Sequence, residues 1–144
     1  MDIASSERRP RDKEGIQPIT LSCGLLGYSH IKDYFLKEIT AFSDFADLRL
    51  LESLTHPDIK FVVKPLPLGD PFIQEKDFYK AVKILNFNAT ESCIYAIVTL
   101  YKNKDKIEYS LNLKAPLIID FSLHKGEQFV FLDQNYSMKQ EWYP

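Results

Sequence analysis

Three histidines, His30, His56 and His124, are the first residues to test for chemistry, because imidazole ligates metals and moves protons near neutral pH. None stands at a helical i, i+4 spacing from another His, Cys or carboxylate, the pattern a metal-binding helix needs. Each falls in a stretch that reads as a turn, so an exposed ring without metal is expected. Nucleophilic chemistry has no better footing: there is no GxSxG elbow, and Cys23 and Cys93 lack any flanking signature. Paired carboxylates, Asp44 with Asp47 or Glu38 with Glu52, would serve as acid and base only beside an apolar pocket that separates their pKa values. No such pocket is legible, and a solvated surface is the expectation. Gly24-Leu25-Leu26-Gly27 lacks the third glycine of a dinucleotide loop and the lysine of a P-loop. Its glycines read instead as a bend after an N-terminal strand. The residue types therefore point away from an enzyme, with no catalytic residue, no metal and no cofactor expected.

The chain that must position these residues has 144 of them, room for one ordinary domain. Eighteen basic against 20 acidic side chains leave a net charge of −2, whereas a protein that holds nucleic acid mainly by its phosphates carries a basic excess. Ten Phe, 8 Tyr and 1 Trp against 5 Gly exclude a low-complexity chain. The longest nearly continuous apolar stretch, Ile94 to Tyr101, is far short of the roughly 20 residues that span a bilayer, and the N-terminus has no apolar signal core. A cytoplasmic protein without membrane contact is expected. Cys23 and Cys93 admit one disulfide or two buried reduced thiols, and the second reading is favoured.

Residues 1–15 hold Asp2, Glu7, Arg8, Arg9, Arg11, Asp12, Lys13 and Glu14 and almost nothing apolar after Ile3. They read as a flexible charged arm, with contact to an anionic partner as the alternative, and residues 16–144 read as a single domain. In that domain the period is mostly two. Ile107, Tyr109, Leu111, Leu113 and Ala115 alternate with Glu108, Ser110, Asn112 and Lys114, which predicts a half-buried strand with the odd residues in the core. Ile94 to Tyr101 is a second strand, joined to it through a Lys102-Asn103-Lys104-Asp105 hairpin loop. Further strands are expected over Asp58 to Pro65, around Phe129 to Leu132 after a His124-Lys125-Gly126 turn, and over Pro18 to Ser22, Asp33 to Ile39 and Leu48 to Leu54. One segment differs: Phe78, Ala81, Val82 and Leu85 recur at i, i+3, i+4 and i+7, which predicts a helix over Glu75 to Asn86. Pro65, Pro67, Gly69 and Pro71 mark the loop that leads into it. About seven short strands and one helix suggest an all-β barrel or sandwich.

In order along the chain, several of these pieces resemble the flagellar assembly factor FliW family. They are Gly24-Leu25-Leu26-Gly27-Tyr28; Leu51-Glu52-Ser53-Leu54 with Pro57 and Phe61-Val62-Val63-Lys64-Pro65; Ile94 to Thr99; and Asn112-Leu113-Lys114-Ala115-Pro116-Leu117-Ile118-Ile119. Gly126 to Leu132, followed by Tyr136, completes the set, which runs from about residue 19 to residue 136. The Asn112-Leu113-Lys114-Ala115-Pro116 block is the most specific. This chain departs from the family pattern in Leu26 for proline, Tyr28 for phenylalanine and Asp120 where asparagine is common, and 66–88 match poorly.

The resemblance implies an antiparallel, partly closed β-barrel that acts as a protein-binding regulator. Its implied partners are flagellin and a CsrA-type translational repressor, which it antagonises so that flagellin synthesis follows flagellin level. No direct nucleic-acid partner is implied, and a monomer is expected. The candidate partner-binding residues are Asn112, Lys114, Tyr28, Phe72 and Tyr136. Asn112 and Lys114 project opposite to the core-facing residues; they either tie down backbone at the kink forced by Pro116 or form a polar rim around a binding groove. Tyr28, Phe72 and Tyr136 lie in or near loops, where an aromatic anchors an interface or simply packs. A small β-barrel that binds single-stranded RNA directly, and an unrecognised hydrolase, are the alternatives; neither has a positive sequence feature of its own.

Overall fold

The computed structural model describes residues 15–39, 48–132 and 135–143. The charged arm up to residue 14 and the Asp44–Asp47 pair lie outside the described residues. The elements are β1 (Gln17–Leu21), β2 (Asp33–Glu38), β3 (Arg49–Ser53), β4 (Lys60–Pro65), α1 (Glu75–Leu85), a 3-10 turn (Ala89–Glu91), β5 (Ser92–Asn103), β6 (Lys106–Asp120), β7 (Lys125–Gln128) and β8 (Gln140–Trp142).

Around the sheet the strands run β5-β4-β3-β2-β1-β7-β6, and β6 pairs again with β5, so seven strands close a ring. β8 lies outside the ring on the first half of β6, at Tyr109–Leu111. The expectation of an all-β barrel with one short helix holds. All pairings around the ring are antiparallel except β1 with β7, which is parallel at Thr20–Lys125 and Leu21–Gly126. The exception is arithmetical: strand direction cannot alternate all the way round a ring with an odd number of members.

Two apolar layers follow from the period of two. Ile19, Leu21, Tyr34, Leu36, Leu51, Val63, Tyr95, Leu117 and Ile119, drawn from six strands, fill the barrel. Ile94, Ala96, Val98, Leu111, Leu113 and Ile118 pack on the outside with Phe78, Ala81 and Val82 of α1. The helix forms where the 3.6-residue pattern placed it, and Asn86 ends it in the left-handed region at φ 61°. Inside the barrel the Tyr34 hydroxyl is buried with no hydrogen-bond partner among the described residues. Burial, reinforced by Tyr28, pushes its phenol above the ordinary value.

Several expectations need correcting. The strand placed at Phe129–Leu132 forms at Lys125–Gln128 instead. Phe129 and Phe131 still donate their N–H groups, to the carbonyls of Pro116 and Lys114, but these lie in an irregular part of β6 where no regular ladder runs. Ile107 is exposed rather than core, because it pairs with Lys102 near the tip of the β5–β6 hairpin. That hairpin turns on Lys104-Asp105 alone, shorter than the expected loop, with Lys104 at φ 60°. Cys23 is exposed in the turn after β1 and Cys93 is half-buried, and the two are not joined in a disulfide. β8 was not foreseen; its Trp142 packs edge-on against Tyr109 and lies under the ammonium of the buried Lys64.

The end of β6 is held by a buried carboxylate. Asp120 accepts hydrogen bonds from the Asn88 N–H (2.8 Å), the Ser122 N–H (2.9 Å), the Ser122 hydroxyl (2.6 Å) and the Leu123 N–H (3.3 Å). Burial by itself pushes the Asp120 carboxyl up, but these donors outweigh it and hold the group below its ordinary 3.8. A carboxyl with a lowered folded-state pKa stabilises the fold above its unfolded value, and that contribution is lost as pH falls through the folded value. Urea unfolding of the parent and of Asp120→Asn should therefore differ at pH 7, with the variant weaker, and the gap should close as pH drops below 3.8.

Candidate functional site

The most irregular part of the barrel coincides with the most distinctive sequence block. Between the pairs Tyr95–Leu117 and Ile97–Asn112, β5 advances two positions while β6 advances five. The surplus is odd, so the side chains of β6 change faces across it. Leu111 and Leu113 belong to the layer under α1, whereas Leu117 and Ile119, of the same parity, belong to the barrel interior. The simple alternation read from Ile107 to Ala115 continues unbroken in sequence but not in space.

Each backbone N–H in the surplus has a partner. Leu113 donates to the Ser137 carbonyl at 2.9 Å. Lys114 and Ala115 both donate to the side-chain oxygen of Asn112, at 3.1 and 3.0 Å. Pro116 has no N–H to satisfy. The carbonyls of Lys114 and Pro116 accept from Phe131 and Phe129, and that of Ala115 accepts from the Gln128 carboxamide at 2.8 Å. The Lys114 ammonium crosses to the Phe131 carbonyl at 3.0 Å. Of the two readings of Asn112 and Lys114, these bonds fit the one in which they tie down backbone.

Tyr136, expected in a loop, is only 7 % exposed. Its hydroxyl donates to the Asp77 carboxylate and accepts from the Gln74 N–H, which pins the chain after the bulge to the start of α1, and its ring packs on Phe131. Phe72 is half-buried against the same apolar layer, two residues before Gln74. Thus Asn112, Lys114, Tyr136 and Phe72 gather around one region. Tyr28 does not join them: it packs edge-on against Phe61 beside the other apolar layer. Its loop is nevertheless linked to the bulge, because Gln128 accepts the Leu26 N–H at 2.8 Å while donating to Ala115. Gly24 makes that loop narrow. It sits at φ 64°, and a Cβ there would lie 2.5 Å from the Tyr28 carbonyl oxygen.

Other candidate groups remain separate. Glu38 pairs in register with Arg49, while Glu52 faces Lys37 and Lys60, and the hydrogen bond from Lys37 holds its carboxyl below the ordinary range. His30 and His56, far apart in sequence, meet edge-on with ring centres 6.1 Å apart, and His124 lies exposed in the turn before β7. Among the described residues no three His, Cys, Asp or Glu side chains gather as metal ligands.

The reading of the sequence missed Gln128 and an exposed apolar set next to the bulge: Leu26, Val130, Leu132 and Met138, with Leu132 89 % exposed. The available signal was alternation, since Phe129 and Phe131 turned inward force Val130 and Leu132 outward. Single exposed apolar residues are ordinary; here several come from the segments bonded to one bulge.

Removing the Asn112 carboxamide leaves two amides without their acceptor. Asn112→Ala should lower unfolding free energy by about 2 kcal/mol. Asn112→Asp, which keeps an acceptor, should lose clearly less, as chemical denaturation of both variants will show.

The chain matches the family model described as FliW protein over residues 6–142. It is 28 % identical over 129 residues to the flagellar assembly factor FliW of Clostridium botulinum (strain Alaska E43 / Type E3), covering 84 % of this chain and 83 % of that protein. To the flagellar assembly factor FliW of Borreliella burgdorferi (strain ZS7) it is 29 % identical over 119 residues, 80 % of this chain and 85 % of the other. A crystal structure of the flagellar assembly factor FliW superposes with a TM-score of 0.66 at 19 % identity, covering 89 % of this chain and 86 % of that one, and so shares the fold. With nearly its whole length matched, the chain belongs to the FliW protein family.

Proposed function

We propose that this chain is a non-catalytic regulator that binds flagellin and a CsrA-type translational repressor in competition, through the rim of the β6 bulge. The observation that carries the protein-binding reading is the exposed set Leu26, Val130, Leu132 and Met138 beside backbone whose hydrogen bonds are already made. A catalytic centre needs polar groups free to meet a substrate. Here the carboxamides of Asn112 and Gln128 and the Lys114 ammonium are engaged with main chain, while apolar side chains face outward. The identity of the partners rests on the family resemblance, and the name flagellar assembly factor carried by the relatives agrees with it.

In this reading Asn112, Lys114 and Tyr136 hold the rim in place, and Phe72 and Tyr28 lend it the exposed parts of half-buried rings. The regulatory logic is mass action. When flagellin accumulates it occupies the rim, and the repressor is released in proportion to the ratio of flagellin concentration to its dissociation constant.

Titration of the full chain with purified flagellin and with CsrA tests this directly. Leu132→Ser should weaken at least one partner by about tenfold or more, the loss of one well-buried apolar anchor. The control Ile107→Ser, at the hairpin tip, should leave both unchanged. Unaltered affinity of Leu132→Ser for both partners removes the rim from the interface, and a gel shift of flagellin leader RNA by the chain alone would replace the protein-binding reading.

A further inference from the structure

The outer face of α1 has no counterpart within the described chain. Phe78, Ala81, Val82 and Leu85 turn toward the core. On the opposite side Lys76, Lys80 and Lys83 follow one another at i, i+4 and i+7, a stripe about 10 Å long at 1.5 Å per residue. Tyr79 flanks it on one side and Ile84 on the other, both exposed, Ile84 to 62 %. Among the described residues none of the three lysines has an ion pair or a hydrogen bond.

Helix stability accounts for Lys83 alone, a base in the last turn where the dipole favours it, and not for the stripe as a whole. Like charges at i, i+4 and i, i+3 repel, so Lys80 weakens the helix against both neighbours. Lys76 stands in the first turn, where the helix dipole favours acids, as Glu75 and Asp77 show. Asp77, three residues before Lys80, is bonded to the Tyr136 hydroxyl. Exposed isoleucine and tyrosine on either side of three unneutralised lysines form a surface with both an apolar and an electrostatic reason to be covered.

We propose that this stripe docks an acidic amphipathic helix of a protein partner. Carboxylates repeating at i, i+4 and i+7 would face the lysines, and apolar residues beside them would lie against Tyr79 and Ile84. Nucleic acid supplies negative charge too, and Tyr79 offers one π-face, but three lysines in a chain of net charge −2 are a small footprint for a phosphate track, and Ile84 on the other flank gives a second base nothing to stack on. The surface lies on α1, apart from the exposed apolar set at the bulge, and the proposal does not depend on which proteins occupy that rim.

The test uses the full chain and a fluorescein-labelled helical peptide of about 18 residues, long enough to form a helix, with Glu at i, i+4 and i+7 and Leu on both flanks. Fluorescence anisotropy should show saturable binding that falls by about tenfold in the triple variant Lys76→Gln, Lys80→Gln, Lys83→Gln, as loss of three partly exposed ion pairs implies. Ile84→Ser should weaken it severalfold, and raising salt from about 50 to about 300 mM should weaken the parent more than the triple variant. The unfolding midpoint of the triple variant should equal or exceed that of the parent, so a folding defect is distinguishable. Absence of saturable binding, or equal affinity in parent and triple variant, overturns the proposal. So does tighter binding of labelled polyuridylate than of the peptide, with that preference lost in the triple variant.

Discussion

The carboxamide of Asn112 accepts the amide protons of Lys114 and Ala115 where β6 carries three more residues than its partner strand can match. Without that acceptor two main-chain donors would lose their hydrogen bonds at the point where the strand passes from one apolar layer to the other. Because the surplus is odd, it lets one continuous strand line the helix-covered face with its first half and the barrel interior with its second. β5, which is nearly regular, keeps its own alternation and meets β6 on both sides of the bulge. The ring therefore closes without breaking either layer. Gln128 extends the same device to the Gly24–Tyr28 loop, and Phe131 extends it through Lys114 and Tyr136 to the start of α1.

Much of the architecture was legible because its signals are local. The helix declared itself through four apolar residues at helical spacing, and the strands β1 to β4 fell within a residue or two of where alternation and turn residues set them. The bulge was hidden for a physical reason. Ile107 to Ala115 alternates without interruption, and only pairing with β5 shows that the strand reverses its faces after Leu113. β8 is three residues long, too short for any period to register, and its place depends on Trp142 meeting Tyr109 and Lys64 from distant parts of the chain. The parallel contact of β1 with β7 follows from strand count in a closed ring, which no single segment records.

The candidate site was legible in part. Asn112 and Lys114 were singled out, and the alternative of tying down backbone was open from Pro116 alone. Gln128 was missed because a glutamine near the end of a strand has no signature until the Ala115 carbonyl and the Leu26 amide are seen on either side of it. For Tyr136 packing and an interface role were both open, because sequence cannot show that Asp77 and Gln74 wait beneath it. Leu132 and Val130 were read with their phenylalanine neighbours as one apolar strand, although only the phenylalanines turn inward. A fully bonded bulge with exposed apolar residues around it suits recognition of another polypeptide better than it suits catalysis.

Amide hydrogen exchange on the unmodified chain tests the central constraint most directly. If the Asn112 carboxamide holds the bulge closed, the Lys114 and Ala115 amides exchange nearly as slowly as those of Leu117 and Ile119 in the regular part of β6. Exchange as fast as at the exposed Lys104-Asp105 turn would contradict it.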